Sequence, residues 1–174
     1  KEISKQEHFD KIIIIPSNMP PHKNVERNDP AQRMEMARLA FPEYEVSDIE
    51  LRRGGKSYTC DTLAELKKQY PEGTLCLICG SDMFKTLPKW RSPERIFQLA
   101  QVVTAARDKR DQWRLRLAKL WYRLRYGAVC RIVKLDPIVI SSSEIRLSGL
   151  EGEDISQWVL PDVYEYIVKN GLYR

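Results

Sequence analysis

The sequence predicts an α/β fold, a doubly wound parallel sheet with helices on both faces and a small helical C-terminal part. Three observations carry this. Runs at Lys11–Ile15, Thr74–Cys79 and Gln101–Ala105 are apolar almost throughout, the pattern of strands buried on both sides. Segments with helical spacing and helix-end signals separate them. The strand exits carry glycine, hydroxyl and charged residues, and parallel sheets of this kind bind ligands at the carboxyl ends of their strands.

The elements follow in order. Residues 1–9 read as the tail of a helix. Lys11–Ile15 is a buried strand ended by Pro16. Asp29 caps a helix with Pro30 at its first position and an inner stripe of Met34, Ala37 and Phe41. Glu45–Leu51 reads as a short strand, Arg52-Arg53-Gly54-Gly55-Lys56 as a basic loop, and Thr59–Gln69 as a helix with Leu63 and Leu66 facing in. Thr74–Cys79 is a strand broken by Gly80. Ser92-Pro93-Glu94 opens a helix to Leu99, and Gln101–Ala105 is the next strand. A basic helix comes next, and 128–135 and 138–140 are extended. Pro161 starts a last helix that Asn170-Gly171 closes with a left-handed cap.

The 174 residues suffice for one domain, 1–174, in which 141–174 form the C-terminal helical part. Hydrophobic residues at 43% and charged residues at 30% are ordinary globular values. No apolar run approaches the roughly 20 residues that span a bilayer, and no secretory leader is visible. The expected location is the cytoplasm, with no membrane partner. The chain begins at Lys1, not Met, so an upstream segment is expected.

Cys76 and Cys79 form a C-x-x-C inside a strand, where residues three apart point to opposite faces. Only His8 and His22 are available to complete a zinc site, so buried reduced thiols and no protein metal site are expected. The net charge of +5 is local. Arg107–Arg131 holds nine Lys/Arg against Asp108 and Asp111, and the remainder holds 20 basic against 22 acidic residues, or −2. Trp113, Leu117, Leu120, Trp121 and Leu124 recur at helical spacing there, which predicts a packed apolar stripe under a solvated basic face. A phosphate-binding patch, a partner surface or a homo-oligomer contact are the other readings of this segment.

The chemistry gathers at the strand exits. The first strand runs into Pro16-Ser17-Asn18-Met19-Pro20-Pro21-His22-Lys23, the third into Gly80-Ser81-Asp82, and Gln101–Ala105 ends near Arg107. Ile138-Val139-Ile140 runs into Ser141-Ser142-Ser143-Glu144-Ile145-Arg146, three hydroxyls at the start of a helix whose first-turn N–H groups are free. A helix N-terminus with an arginine nearby is an anion site. Lys23, Arg107 and Arg146 would share one rim suited to a polyphosphate, whose transfer needs positioning and charge stabilisation. Asp82 is the acid there, for a ribose hydroxyl or a magnesium-bound water. Trp90 follows at a cleft edge, able to stack on a flat ring or to pack on the next helix. Ser57-Tyr58-Thr59 caps a helix whose end would also accept a carboxylate.

These pieces resemble one family in order. PPHK at 20–23, S-Y-T-C-D-T-L from Ser57, Gly80-Ser81-Asp82-Met83, Leu87–Trp90, I-S-S-S-E-I-R and the closing L-P-D-V-x-x-Y-I-x-x-N-G-L-Y are similar to the bacterial nicotinate mononucleotide adenylyltransferases. The resemblance spans residues 9 to 173. It implies a Rossmann-like nucleotidyltransferase fold and adenylyl transfer from ATP, with Mg2+, to nicotinate mononucleotide in NAD biosynthesis. It also implies that Ser141, Ser142, Ser143 and Arg146, with Lys23 and Arg107 on the rim, hold ATP. Tyr58, Thr59, Asp82 and Trp90 would hold the mononucleotide. The partners implied are these two small molecules, not nucleic acid.

One departure is large. The family opens with a strand and a G-x-F-D-P-x-H-x-G-H turn, and neither His8 nor His22 has that context. The natural protein is expected to carry this segment, and without it little catalysis is expected. The alternatives are another nucleotidyltransferase of the same fold, or a module that binds nucleic acid or an acidic partner through the basic 107–131 helix.

Overall fold

The computed structural model describes residues 2–19, 29–106, 108–134 and 142–173. The strands are β1 (Ile13–Ile14), β2 (Glu45–Val46), β3 (Leu75–Gly80), β4 (Ala100–Ala106) and β5 (Cys130–Lys134). The helices are α1 (Glu2–Gln6), α2 (Pro30–Ala40), α3 (Ile49–Arg53), α4 (Thr59–Gln69), α5 (Ser81–Thr86), α6 (Pro93–Leu99), α7 (Lys109–Tyr126), α8 (Ser142–Leu150) and α9 (Pro161–Lys169). A 3-10 turn at Leu87–Lys89 follows α5. Every pairing among these strands is parallel, as the apolar runs predict. The chain divides into two compact units, Lys1–Phe9 with Tyr58–Pro137, and Asp10–Ser57 with Ile138–Arg174.

The first unit holds a three-stranded sheet ordered β3-β4-β5. Leu77, Val102 and Cys130 lie side by side in register. Side-chain alternation puts Cys79 and Ala106 on the same face, under Phe84, Leu87, Phe97, Leu115 and Tyr122. Cys60 and Leu63 of α4 and Ile96 of α6 continue this layer over Ala100. The other face carries Arg131, which donates to Gln101 Oε1 at 2.9 Å and to Glu7 Oε2 at 2.6 Å, tying down the α1 segment. The segment that follows α1 is thus held to this face of the sheet.

The second unit pairs β1 with β2 and packs α2 on α9. Its core is Ile155, Val163, Ile167 and Leu172, with Met36, Leu39 and Ile145 against it. Asp29 caps α2, accepting from Ala31 N at 3.1 Å, and Met34 is buried, as expected. Arg33 donates to the carbonyls of Ser17 and Asn18, both at 2.7 Å, and so fixes the exit of β1. The backbone there continues into a bridge between Met19 and Lys56.

Four expectations are corrected. The first strand is only Ile13–Ile14, and it is half-buried. The strand expected at Glu45–Leu51 stops at Val46, and α3 begins at Ile49, because Ser47 Oγ and Asp48 Oδ1 accept from Ile49 N and Arg52 Nε and favour a helical turn. Arg52 and Arg53 therefore end α3, and the loop narrows to Gly54 and Gly55, at φ 69° and 66°, values that glycine adopts without strain. Ser57 does not cap α4; its Oγ accepts from Asn18 N instead, and the cap position is Tyr58.

The fourth correction concerns α7. Asp108 caps it by accepting from Asp111 N at 2.7 Å, and Gly127 closes it at φ 64°. The stripe expected to pack does not. Leu115 and Tyr122 are buried, with Ala118 and Tyr126 against them, while Trp113, Leu117, Leu120, Trp121 and Leu124 are exposed. Tyr122 won the inner face because its ring meets Phe84 and Phe97 at 5.0 Å each and its hydroxyl donates to Phe84 O at 2.7 Å. All four cysteines are free, and Cys76 is only half-buried. The expected strand at 138–140 lies outside the described residues.

Candidate active site

The exit of β3 builds a cleft. Gly80 ends the strand and the chain turns at once into α5. Ser81, its first residue, is 2% exposed, and its hydroxyl has no hydrogen-bond partner among the described residues. A buried, unanswered hydroxyl is costly to leave so, which makes Ser81 Oγ a ready donor or acceptor for a ligand. Asp82 is exposed. Lys85, one turn on, brings Nζ to 3.1 Å from Asp82 Oδ1 and 3.1 Å from Asp111 Oδ1. Burial pulls the Lys85 ammonium toward its neutral form, but hydrogen bonds to Asp111 and Asp82 outweigh this and hold its pKa above the usual lysine range.

Asp108, Arg110, Asp111 and Arg114 complete the lining of a cleft of about 180 Å³. That volume suits a phosphate or a sugar fragment, since whole-ligand sites run from about 300 Å³ upward. Three carboxylates and three cations face it, so the cleft positions charge of either sign. The carboxyl edge of β3 is where a parallel sheet of this class receives ligands.

The two ring-binding candidates lie on one patch of the same unit. Trp90 is half-buried, packs against both core layers, and donates from Nε1 to Thr86 Oγ1 at 3.4 Å. Tyr58 borders the Cys60, Leu63 and Ile96 layer that Trp90 also touches. The Arg91 guanidinium lies 4.4 Å from the Tyr58 ring centroid, a cation–π contact. Thr59 opens α4, where the Tyr58 side chain makes no capping hydrogen bond.

The second unit holds the serine turn. Ser142 and Ser143 open α8, Ser143 is exposed, and Arg146 donates to Ser143 Oγ at 3.4 Å. This puts a guanidinium on the first turn of a helix. Ser141, Lys23 and Arg107 lie outside the described residues. Of the expected set, the structure thus gathers Tyr58 with Trp90, sets Asp82 in the β3 cleft, and joins Ser143 to Arg146. Sequence reading missed Lys85, Asp111, Arg110, Arg114 and Arg91. Lys85 was legible, three residues after Asp82 on a helix. Arg110 and Arg114 were hidden in a segment read as a solvated face.

Comparison with known proteins follows this geometry. The cytidylyltransferase-like family model matches residues 2–148. A protein of Lachnoclostridium phytofermentans named "Probable nicotinate-nucleotide adenylyltransferase" is 33% identical, over 97% of this chain and 86% of its own length. One of the same name from Citrifermentans bemidjiense is 38% identical, over 92% and 82%. The solved Plasmodium falciparum nicotinic acid mononucleotide adenylyltransferase, complexed with NaAD, shares the fold at a TM-score of 0.74 and 18% identity, covering 99% of this chain and 86% of that one. The fold is thus the Rossmann-like nucleotidyltransferase fold, and the chain belongs to the nicotinate-nucleotide adenylyltransferase family within the cytidylyltransferase-like proteins.

Proposed function

We propose that this protein transfers the adenylyl group of ATP to nicotinate mononucleotide, giving nicotinate adenine dinucleotide and pyrophosphate. The observation that carries the reading is the cleft at the end of β3, where Ser81, Asp82 and Lys85 stand with Arg110 and Arg114 in a chain of this family. A phosphate oxygen of the mononucleotide forms the new bond to the α-phosphorus of ATP, and the bond to the β-phosphate oxygen breaks. Cations and amides that hold the phosphates are what such a step asks of a protein.

In this reading Trp90 stacks on the pyridine ring, Tyr58 and Thr59 hold the nicotinate group, and Asp82 takes a ribose hydroxyl beside the cleft. Ser141, Ser142, Ser143 and Arg146 hold ATP phosphates, with Lys23 and Arg107 as further cations. Magnesium is proposed as the companion of ATP. Lys85 already neutralises Asp82, and no three His, Cys, Asp or Glu among the described residues are placed so that they could hold a metal ion. The ion is therefore assigned to the oxygens of the nucleotide.

The test is pyrophosphate release by the full-length protein given ATP and a divalent cation, with nicotinate or nicotinamide mononucleotide. Release with a strong preference for the acid is the expected result. Absence of release from a folded sample with either acceptor would overturn the reading. Substituting CTP for ATP separates it from a cytidylyl transferase, for which CTP would be the better donor.

A further inference from the structure

Helix α7 has two apolar stripes, and the fold buries one of them. Leu115, Ala118, Tyr122 and Tyr126 face the core. Trp113, Leu117, Leu120, Trp121 and Leu124 are 62%, 49%, 54%, 47% and 77% exposed. Trp113, Leu117, Leu120 and Leu124 recur two residues out of step with the buried set. Two residues turn a helix by about 200°, so this crest stands opposite the core. At about 100° per residue, Arg116 and Arg123 fall along one edge of the crest, and Arg110, Arg114 and Arg125 along the other. All five are exposed. The helix carries seven Lys/Arg and one acid, Asp111, which is tied to Lys85.

A contiguous apolar crest of this kind calls for an occupant, and its charged edges choose among them. A second copy seated on the same face would oppose two arginine rows, an unfavourable juxtaposition. A nucleic acid would answer the arginines and leave the leucines in water. A lipid surface with acidic headgroups answers both. Arginines reach the headgroups while their stems lie along apolar surface, leucines enter the acyl boundary, and tryptophan favours that depth.

We propose that α7 docks the protein on an anionic bilayer surface, lying in the plane of the interface with the Trp113–Leu124 crest inserted. No helix among the described residues is long and apolar enough to cross a membrane, so this contact is peripheral. It does not rest on the transferase reading, because the apolar crest lies outside the cleft; of the flanking arginines, Arg110 and Arg114 also line the cleft, and Arg116, Arg123 and Arg125 do not.

The experiment is flotation of the full-length protein with vesicles of phosphatidylcholine alone or mixed with phosphatidylglycerol. Binding to the mixed vesicles, little to the neutral ones, and a blue shift of tryptophan emission are expected. Leu120→Glu/Leu124→Glu lowers partitioning by about tenfold or more while circular dichroism is unchanged. Leu120→Ser/Leu124→Ser gives the same readout should glutamates disturb the helix. Trp113→Phe/Trp121→Phe keeps most of the flotation and loses the blue shift. The proposal is overturned by absence of binding to mixed vesicles, or by binding that both leucine variants retain. A crest-dependent dimer without vesicle binding would overturn it in favour of a second copy. Retention of RNA without vesicle binding would do so in favour of nucleic acid.

Discussion

Trp90 is the residue on which substrate choice turns in the proposed reaction. Its indole N–H is anchored on Thr86, and the body of the ring spans two core layers, so its plane is set before any ligand arrives. A preset ring gives stacking without the entropy of ordering it. Trp90→Ala is expected to raise the KM for the mononucleotide about tenfold or more and leave the KM for ATP within about twofold, consistent with roughly 1–3 kcal/mol per stacked base. Steady-state kinetics with each substrate varied checks this, and equal rises would remove Trp90 from the ring site. A separate role is proposed for Arg91. Its guanidinium on the Tyr58 face brings a cation to the patch proposed to hold the nicotinate group. Arg91→Ala is expected to narrow the preference for the acid over the amide mononucleotide, read as the ratio of their kcat/KM values. Trp90 and Asp82 were open to sequence reading as candidates, because an aromatic at a cleft edge and an acid beside a glycine strand exit suit few chemistries. Arg91 was not, since a surface arginine means little until the ring beneath it is seen.

Helix α7 shows at the scale of elements why one legible pattern misled. Its helical character was readable from the spacing of its apolar residues, whereas its Asp108 cap and Gly127 stop are seen in the structure. Its inner face was not, because two stripes both satisfy helical periodicity. The larger, Trp- and Leu-rich one looked like core, while the core chose the stripe whose tyrosine hydroxyl reaches Phe84 O. The same limit explains α3. Glu45–Leu51 has strand-like composition, but Ser47 and Asp48 bond locally, and that competition is decided by tertiary context. Stability measurements distinguish the two stripes of α7. Leu115→Ala is expected to cost about 2–5 kcal/mol, the range for a buried leucine. Leu124→Ala should stay within about 0.5 kcal/mol, as exposed positions do. Tyr122→Phe should cost about 1–2 kcal/mol, because a buried carbonyl loses its extra donor. Urea unfolding midpoints of the three variants check the ordering, and a Leu124→Ala cost near that of Leu115→Ala would reverse the assignment of faces.

For the whole molecule, parallel pairing followed from apolar runs. The thickness of each layer did not, because burial is set by what packs above a strand. Cys79 and Cys130 make that burial measurable. Both lie in one core layer with Tyr122. Burial, with the neighbouring Cys130, pushes the Cys79 thiol up to about 12, and burial lifts Cys130 to about 11. The Tyr122 phenol is raised too, by burial and then by the nearby thiols. In the unfolded chain the thiols release their protons near their usual value of about 9. Below that pH both states hold these protons, and the groups add no pH dependence. Above it the unfolded state sheds protons that the folded core keeps, so stability falls as pH rises. Each thiol acting alone would shift the folding equilibrium about tenfold per pH unit until its folded value is passed. The urea midpoint should therefore fall steeply between about pH 9 and 10.5, and Cys79→Ala should flatten that fall even though it lowers stability at neutral pH. A midpoint that falls equally in the variant would remove Cys79 from the source of the alkaline sensitivity.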